Sequence, residues 1–223
     1  MPMNRSEAMR IFRASPIYAI TAEKLSEGRT AVETVEQMLA GGIRFLQYRE
    51  KEKTGREMYA DCLAIRKLCD QYHAVFIVDD FPALALAVDA DGVHVGQDDL
   101  PAVAVRRILG TDKVIGLSTH NPRQLEASNA LGDTIDYIGC GPVYPTRTKD
   151  RPAPVTGLGY IRYAAAHATH PFTAIGGIKA HNLADVRAAG ATTCALVSEI
   201  TKAPDISAKV HELRVNAKCC GIP

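Results

Sequence analysis

Gly139-Cys140-Gly141-Pro142-Val143-Tyr144-Pro145-Thr146-Arg147-Thr148-Lys149-Asp150 is a stretch in which an apolar run breaks into a loop carrying two hydroxyls and a lysine. It reads as a strand end that offers an anion cradle. Glycines let a backbone approach a ligand, prolines stiffen the turn, and Thr146, Thr148 and Lys149 supply donors that suit phosphate oxygens. Taken singly, it reads equally well as a Pro-stiffened turn with a solvated polar tip.

Working outward, the same succession of short apolar run, polar end and helical stretch recurs along the chain. Pro16 to Thr21 is short, apolar and β-prone, as a buried parallel strand should be. Thr30 to Leu39 places Val32, Val35, Met38 and Leu39 on one helical face, and Gly41-Gly42 stops it. Further strands are expected at 43–49, 74–80, 92–96, 113–118, 136–141, 172–176 and 193–198. Helices are expected at 54–72, 82–88, 102–109, 122–131, 160–168, 182–189 and 206–218. About eight such units of roughly 25 residues fit a single (β/α)8 TIM barrel better than an open doubly wound sheet. The expected domain is therefore residues 16–218, with a polar lead at 1–15 and a tail at 219–223.

The 223 residues suffice for one large domain, and 47% apolar with 23% charged residues is an ordinary globular balance. Lys and Arg total 26 against 25 Asp and Glu, so the net charge of +1 gives no global attraction to nucleic acid or an anionic membrane. Any anion must be met locally. No secretory h-region and no bilayer-length apolar run is visible, so a cytoplasmic location is expected. Of the six cysteines, Cys62, Cys69, Cys140 and Cys194 sit in apolar runs as small core residues would, without metal-ligand spacing. Cys219 and Cys220 are adjacent near the end and carry no functional reading.

In such barrels the chemistry lies at the C-terminal strand ends. The second strand closes in Gln47-Tyr48-Arg49-Glu50-Lys51, where Gln47 and Arg49 alternate onto one face and Lys51 lies at the mouth. An inward Arg requires either a bound phosphate or an acidic neighbour. The third strand closes in Asp79-Asp80 and the fourth in Gln97-Asp98-Asp99. Adjacent carboxylates of this kind suit Mg²⁺, which takes one or two of them and completes its shell with water and substrate phosphate. The alternative for Asp98 or Asp99 is to cap the next helix. The fifth strand ends in Ser118-Thr119-His120, with His120 expected in a turn or binding role, and His94 inside the fourth strand is expected to be a hydrogen-bonded core or mouth residue. Gly176-Gly177 and Val197-Ser198 close the last two strands, where barrels commonly place a phosphate. Two anion sites, one with a metal and neither with an evident covalent nucleophile, suggest the joining of two phosphorylated substrates.

Gln47 to Lys51, Asp79-Asp80, Gly92 to Asp99, Gly139 to Lys149 and Gly176-Gly177-Ile178, in this order, resemble thiamine-phosphate synthase, over about residues 17–200. The resemblance implies that a pyrimidine diphosphate and a thiazole phosphate are joined with loss of diphosphate, by a dissociative route assisted by Mg²⁺. It further implies that Gln47, Arg49, Lys51 and Lys149 hold the diphosphate and that Asp80 and Asp99 bind the metal. Ser118 would contact the pyrimidine, and Thr146, Thr148, Gly177, Val197 and Ser198 would hold the thiazole phosphate. Arg49, Lys51, Ser118 and Lys149 are the catalytic candidates. Asp79 stands where the family commonly has Asn, and its added charge should weaken diphosphate binding unless a cation offsets it. The related thiazole tautomerase, with His120 in proton transfer, and a non-catalytic precursor-binding protein are the alternatives. Small molecules are the expected partners, homo-oligomerisation is left open, and closure of the 146–157 loop, with hinges at Gly157 and Gly159, is a hypothesis.

Overall fold

The computed structural model describes residues 3–148 and 153–219. Eight strands close a parallel barrel in sequence order: β1 (Ile17–Ile20), β2 (Phe45–Tyr48), β3 (Val75–Asp79), β4 (Gly92–Val95), β5 (Val114–Thr119), β6 (Tyr137–Cys140), β7 (Phe172–Ile175) and β8 (Thr193–Leu196). Closure is made by β1 pairing with β8, Tyr18 opposite Ala195. The helices are α1 (Arg5–Ala14), α2 (Ala31–Ala40), α3 (Gly55–Tyr72), α4 (Pro82–Ala87), α5 (Ala102–Leu109), α6 (Pro122–Asn129), α7 (Gly157–His167), α8 (Leu183–Ala188), α9 (Ser198–Thr201) and α10 (Ile206–Cys219).

Local chemistry sets these boundaries. Thr30 and Thr54 each open a helix with a capping box, their hydroxyls accepting from the N–H of Glu33 and Glu57 while those carboxylates reach back. His73 ends α3 in the left-handed conformation. Alternation within strands then sorts side chains. Ile17, Leu46, Phe76, Val93 and Ile138 pack outward against the helices, whereas Tyr18, Phe45, Ile77 and Tyr137 fill the barrel. Cys62, Cys69, Cys140 and Cys194 are buried and unbridged, as the sequence predicts.

The N-terminal lead departs from expectation. It is an α-helix, capped by Asn4, that lays Ala8, Met9 and Phe12 against the barrel interior. Phe12 meets Phe45 and Tyr137 at ring-centroid distances of 5.0 and 4.7 Å, and Arg5 pairs with Asp136. This helix closes one end of the barrel, so the cavity opens at the other. A second unexpected helix, α9, begins at Ser198 directly after β8. Among the described residues no helix is long and apolar enough to cross a membrane.

Candidate active site

A cavity of about 480 Å³ lies at the C-terminal end of the strands and is lined from every side of the barrel. Gln47 and Arg49 enter it from β2 and the turn beyond, Asp79 from β3, Asp99 from the turn after β4, and Ser118 from β5. From the opposite side come Thr146 and Thr148 after β6, Gly177 after β7, and Val197 and Ser198 after β8. The topology thus gathers into one volume ten of the residues selected from the sequence. Lys51 and Asp80 sit beside it, joined to its wall through their own ion pairs. Lys149 lies outside the described residues.

On the β2–β4 side acidic and basic side chains pair. Lys51 Nζ lies 3.1 Å from Asp79 Oδ2 and also contacts Asp80. Arg49 Nε lies 3.6 Å from the same Asp79 oxygen. Burial alone would lower the Lys51 pKa, but Asp79 and Asp80 outweigh it and hold the pKa above its ordinary value. Desolvation, then the charge of Asp79, pushes the Asp80 carboxyl up to about 6, with Lys51 opposing and a hydrogen bond with Asp99 adding to the rise. Asp80 has a left-handed backbone, φ 62°, and its N–H donates to His94 O at 2.8 Å. Asp99 Oδ2 accepts from Gly96 N at 2.7 Å. It does not cap α5, whose N-cap is Pro101 without a side-chain bond.

These acids fit a hard divalent cation. Asp80 and Asp99 share a hydrogen bond in a desolvated corner, which requires a proton on one of them, and a cation between them would take that proton's place. Among the described residues no cluster of three or more His, Cys, Asp or Glu could hold a metal by itself. A two-carboxylate site completed by water and phosphate suits Mg²⁺ rather than a closed Zn²⁺ site.

The β6–β8 side is built from backbone and hydroxyls. Gly176 and Gly177 have φ 100° and 66°, and a Cβ at Gly177 would lie 2.7 Å from both Pro145 O and Tyr144 Cβ. The loop after β6 is stitched over them by Val143 N to Ile175 O (2.9 Å) and Tyr144 N to Gly176 O (3.0 Å). Thr146 Oγ1 donates to Thr148 Oγ1 at 3.2 Å and accepts from Thr148 N at 3.3 Å, so the two hydroxyls form one polar corner. Close packing alone therefore requires glycine at these positions. Gly159 lies inside α7, not in a hinge, and Thr156 ties the loop's end to Pro142 O at 2.8 and 3.1 Å. Residues 149–152 of the proposed lid lie outside the described residues.

The sequence reading missed Lys179, which lines the cavity, approaches Ser198 Oγ at 3.4 Å and pairs with Glu199 at 3.2 Å. Its place three residues after Gly176 was the available signal. Gln97 Nε2, which donates to Ser118 O at 2.6 Å, was passed over for the acids beside it. His120 lines the cavity as well, with Nδ1 2.6 Å from Gly141 O. That carbonyl acceptor fixes the ring and agrees with a binding or turn role.

The family model described as "Thiamine monophosphate synthase" matches residues 17–200. A thiamine-phosphate synthase of Caldicellulosiruptor saccharolyticus is 49% identical over 213 residues, 96% of each chain. The corresponding enzyme of Lawsonia intracellularis is 50% identical over 199 residues, 89% of this chain and 90% of that one. Among solved structures, thiamine phosphate pyrophosphorylase from Pyrococcus furiosus superposes with a TM-score of 0.85 at 34% identity, covering 95% of this chain and 98% of that one.

Proposed function

The chain belongs to the thiamine monophosphate synthase family and is a transferase, and we propose that it joins 4-amino-2-methyl-5-hydroxymethylpyrimidine diphosphate to a thiazole phosphate, releasing diphosphate. The observation that carries this reading is a single cavity with two differently built polar sides, one of acidic and basic side chains, the other of glycine and hydroxyl. Relatives at about half identity carry the synthase name, which favours this activity over the tautomerase and the precursor-binding alternatives.

In this proposal Arg49 and Lys51 receive the diphosphate, together with Lys149. Both described cations already face carboxylates, so an entering diphosphate exchanges one set of charged partners for another. Asp80 and Asp99 would hold Mg²⁺, which when bound supplies charge neutralisation for the departing diphosphate. Gln47 joins Arg49 and Lys51 at the diphosphate, and Ser118 orients the pyrimidine. Thr146, Thr148, Gly177, Val197 and Ser198 hold the thiazole phosphate, so that its ring nitrogen faces the carbon from which diphosphate leaves. A dissociative route asks the protein for positioning and charge stabilisation rather than a nucleophile. A cytoplasmic location belongs to the same proposal, supported by four buried, unbridged cysteines that suit a reducing compartment.

The test mixes purified protein, both substrates and Mg²⁺ and assays for thiamine phosphate. Product that requires both substrates is the expected result. A folded protein that makes none, but interconverts thiazole phosphate tautomers in a His120-dependent way, would replace this reading with the tautomerase.

A further inference from the structure

Five side chains from five strands form one continuous hydrogen-bonded row through the barrel. Gln47 Nε2 donates to the Tyr18 hydroxyl at 2.9 Å, and Tyr18 and Tyr137 hydroxyls lie 2.9 Å apart. Tyr137 Oη lies 3.0 Å from His94 Nδ1, and His94 Nε2 lies 2.9 Å from Ser118 Oγ. All five residues are buried, and all but Tyr137 line the cavity. The row occupies space that a glycine leaves open: a Cβ at Gly116 would lie 2.2 Å from Tyr137 Cζ and 2.4 Å from His94 Nδ1.

Donor and acceptor chemistry assigns the row a direction. Each phenol carries one proton, and burial, the leading cause, raises both pKa values and keeps them protonated. Tyr18 accepts from Gln47, so its own proton goes to Tyr137. Tyr137 accepts that proton and passes its own to His94 Nδ1. A neutral imidazole that accepts at Nδ1 carries its proton on Nε2, which then donates to Ser118 Oγ. The Ser118 proton is left for the cavity.

Ser118 and His94 have the separation of a nucleophile and its base, yet the third member is a phenol where a triad has a carboxylate. A phenol donating to Nδ1 places the imidazole proton on the nitrogen facing Ser118, where it cannot take the serine's proton. We propose that Tyr18, Tyr137 and His94 are positioning residues that fix Ser118 as a hydrogen-bond donor to a ring-nitrogen acceptor of the pyrimidine substrate. The identity of that ring rests on the proposed function; the tautomer of His94 does not.

Two measurements test it. Nitrogen-15 NMR of His94 in the ligand-free protein is expected to show the Nε2–H tautomer, and the Nδ1–H tautomer would overturn the proposal whatever the enzyme's activity. Calorimetric titration with 4-amino-5-hydroxymethyl-2-methylpyrimidine and with its analogues that replace a ring nitrogen by CH supplies the functional arm. Wild type is expected to lose about tenfold in affinity for one such analogue, the worth of one hydrogen bond. Tyr137→Phe should bind both with nearly equal affinity, while its KM for the thiazole phosphate is unchanged. A variant that weakens both ligands in proportion would show a merely structural role and overturn the proposal. Should Tyr137→Phe fail to fold, His94→Phe keeps a ring in place, removes the donor to Ser118 and gives the same comparison. An absence of thiamine phosphate from wild type would count against the proposed function, leaving the NMR result to decide the row.

Discussion

Arg49, Lys51, Asp79, Asp80 and Asp99 give the β2–β4 side of the cavity paired side-chain charges, whereas the β6–β8 side presents glycine backbone, the Thr146–Thr148 corner and Ser198. Lys179 brings a charge to the second side, and Glu199 already pairs with it. The difference teaches how one barrel can separate two phosphate groups. Side-chain charges can adjust to an anion that arrives, changes and departs, and they invite a cation to balance the acids. A backbone cradle is rigid and fixed by φ, so it suits a phosphate that is held but does not react.

Breaking the first side should cost most. Asp99→Ala is expected to reduce Mg²⁺-dependent turnover by about 100-fold, the scale of losing transition-state charge stabilisation. Thiazole phosphate affinity, measured by calorimetry on the same variant, should be unchanged. Gly177→Ala attacks the other side by forcing a Cβ into Pro145 O and Tyr144 at a positive φ. A strain of about 2 kcal/mol predicts roughly thirtyfold weaker thiazole phosphate binding with diphosphate binding intact. Thr146→Ala removes a donor without moving the backbone, so the thiazole phosphate KM should rise about tenfold and that for the pyrimidine diphosphate should not. Asp79→Asn sharpens the comparison with the smallest effect. It releases Arg49 and Lys51 from their shared carboxylate and should tighten inorganic diphosphate binding by about threefold, the scale of a partly exposed ion pair. Weaker binding would show that Asp79 aids the site.

The barrel was legible because each strand is a short apolar run followed by a polar close, a pattern that local chemistry fixes residue by residue. The same logic placed Gln47, Asp79, Ser118 and Thr146 at one rim, since parallel strands put all their C-terminal ends together. What the pattern hid was tertiary. Only Ala8, Met9 and Phe12 of α1 are buried, among Arg5, Glu7, Arg10 and Arg13, so the segment reads as a polar lead until the barrel end it closes exists. Tyr18 and Tyr137 read as strand apolars, and their hydroxyls find each other across 119 residues only when β1 and β6 face the same interior. The capping alternative for Asp99, suggested by its position before Pro101, is not taken up, because its carboxylate turns back to the Gly96 N–H. At Gly177 the packing reading holds, since a Cβ there would meet Pro145 O and Tyr144.

The contrast between the two sides is tested most directly by titrating inorganic diphosphate and thiazole phosphate separately, each with Mg²⁺ and with a chelator in its place. Removal of Mg²⁺ should weaken diphosphate by more than about tenfold, as expected when Asp80 and Asp99 are left uncompensated beside an anion, and leave thiazole phosphate unchanged. An equal loss for both ligands, or no loss for diphosphate, would contradict the division of the cavity into a metal-dependent side and a backbone side.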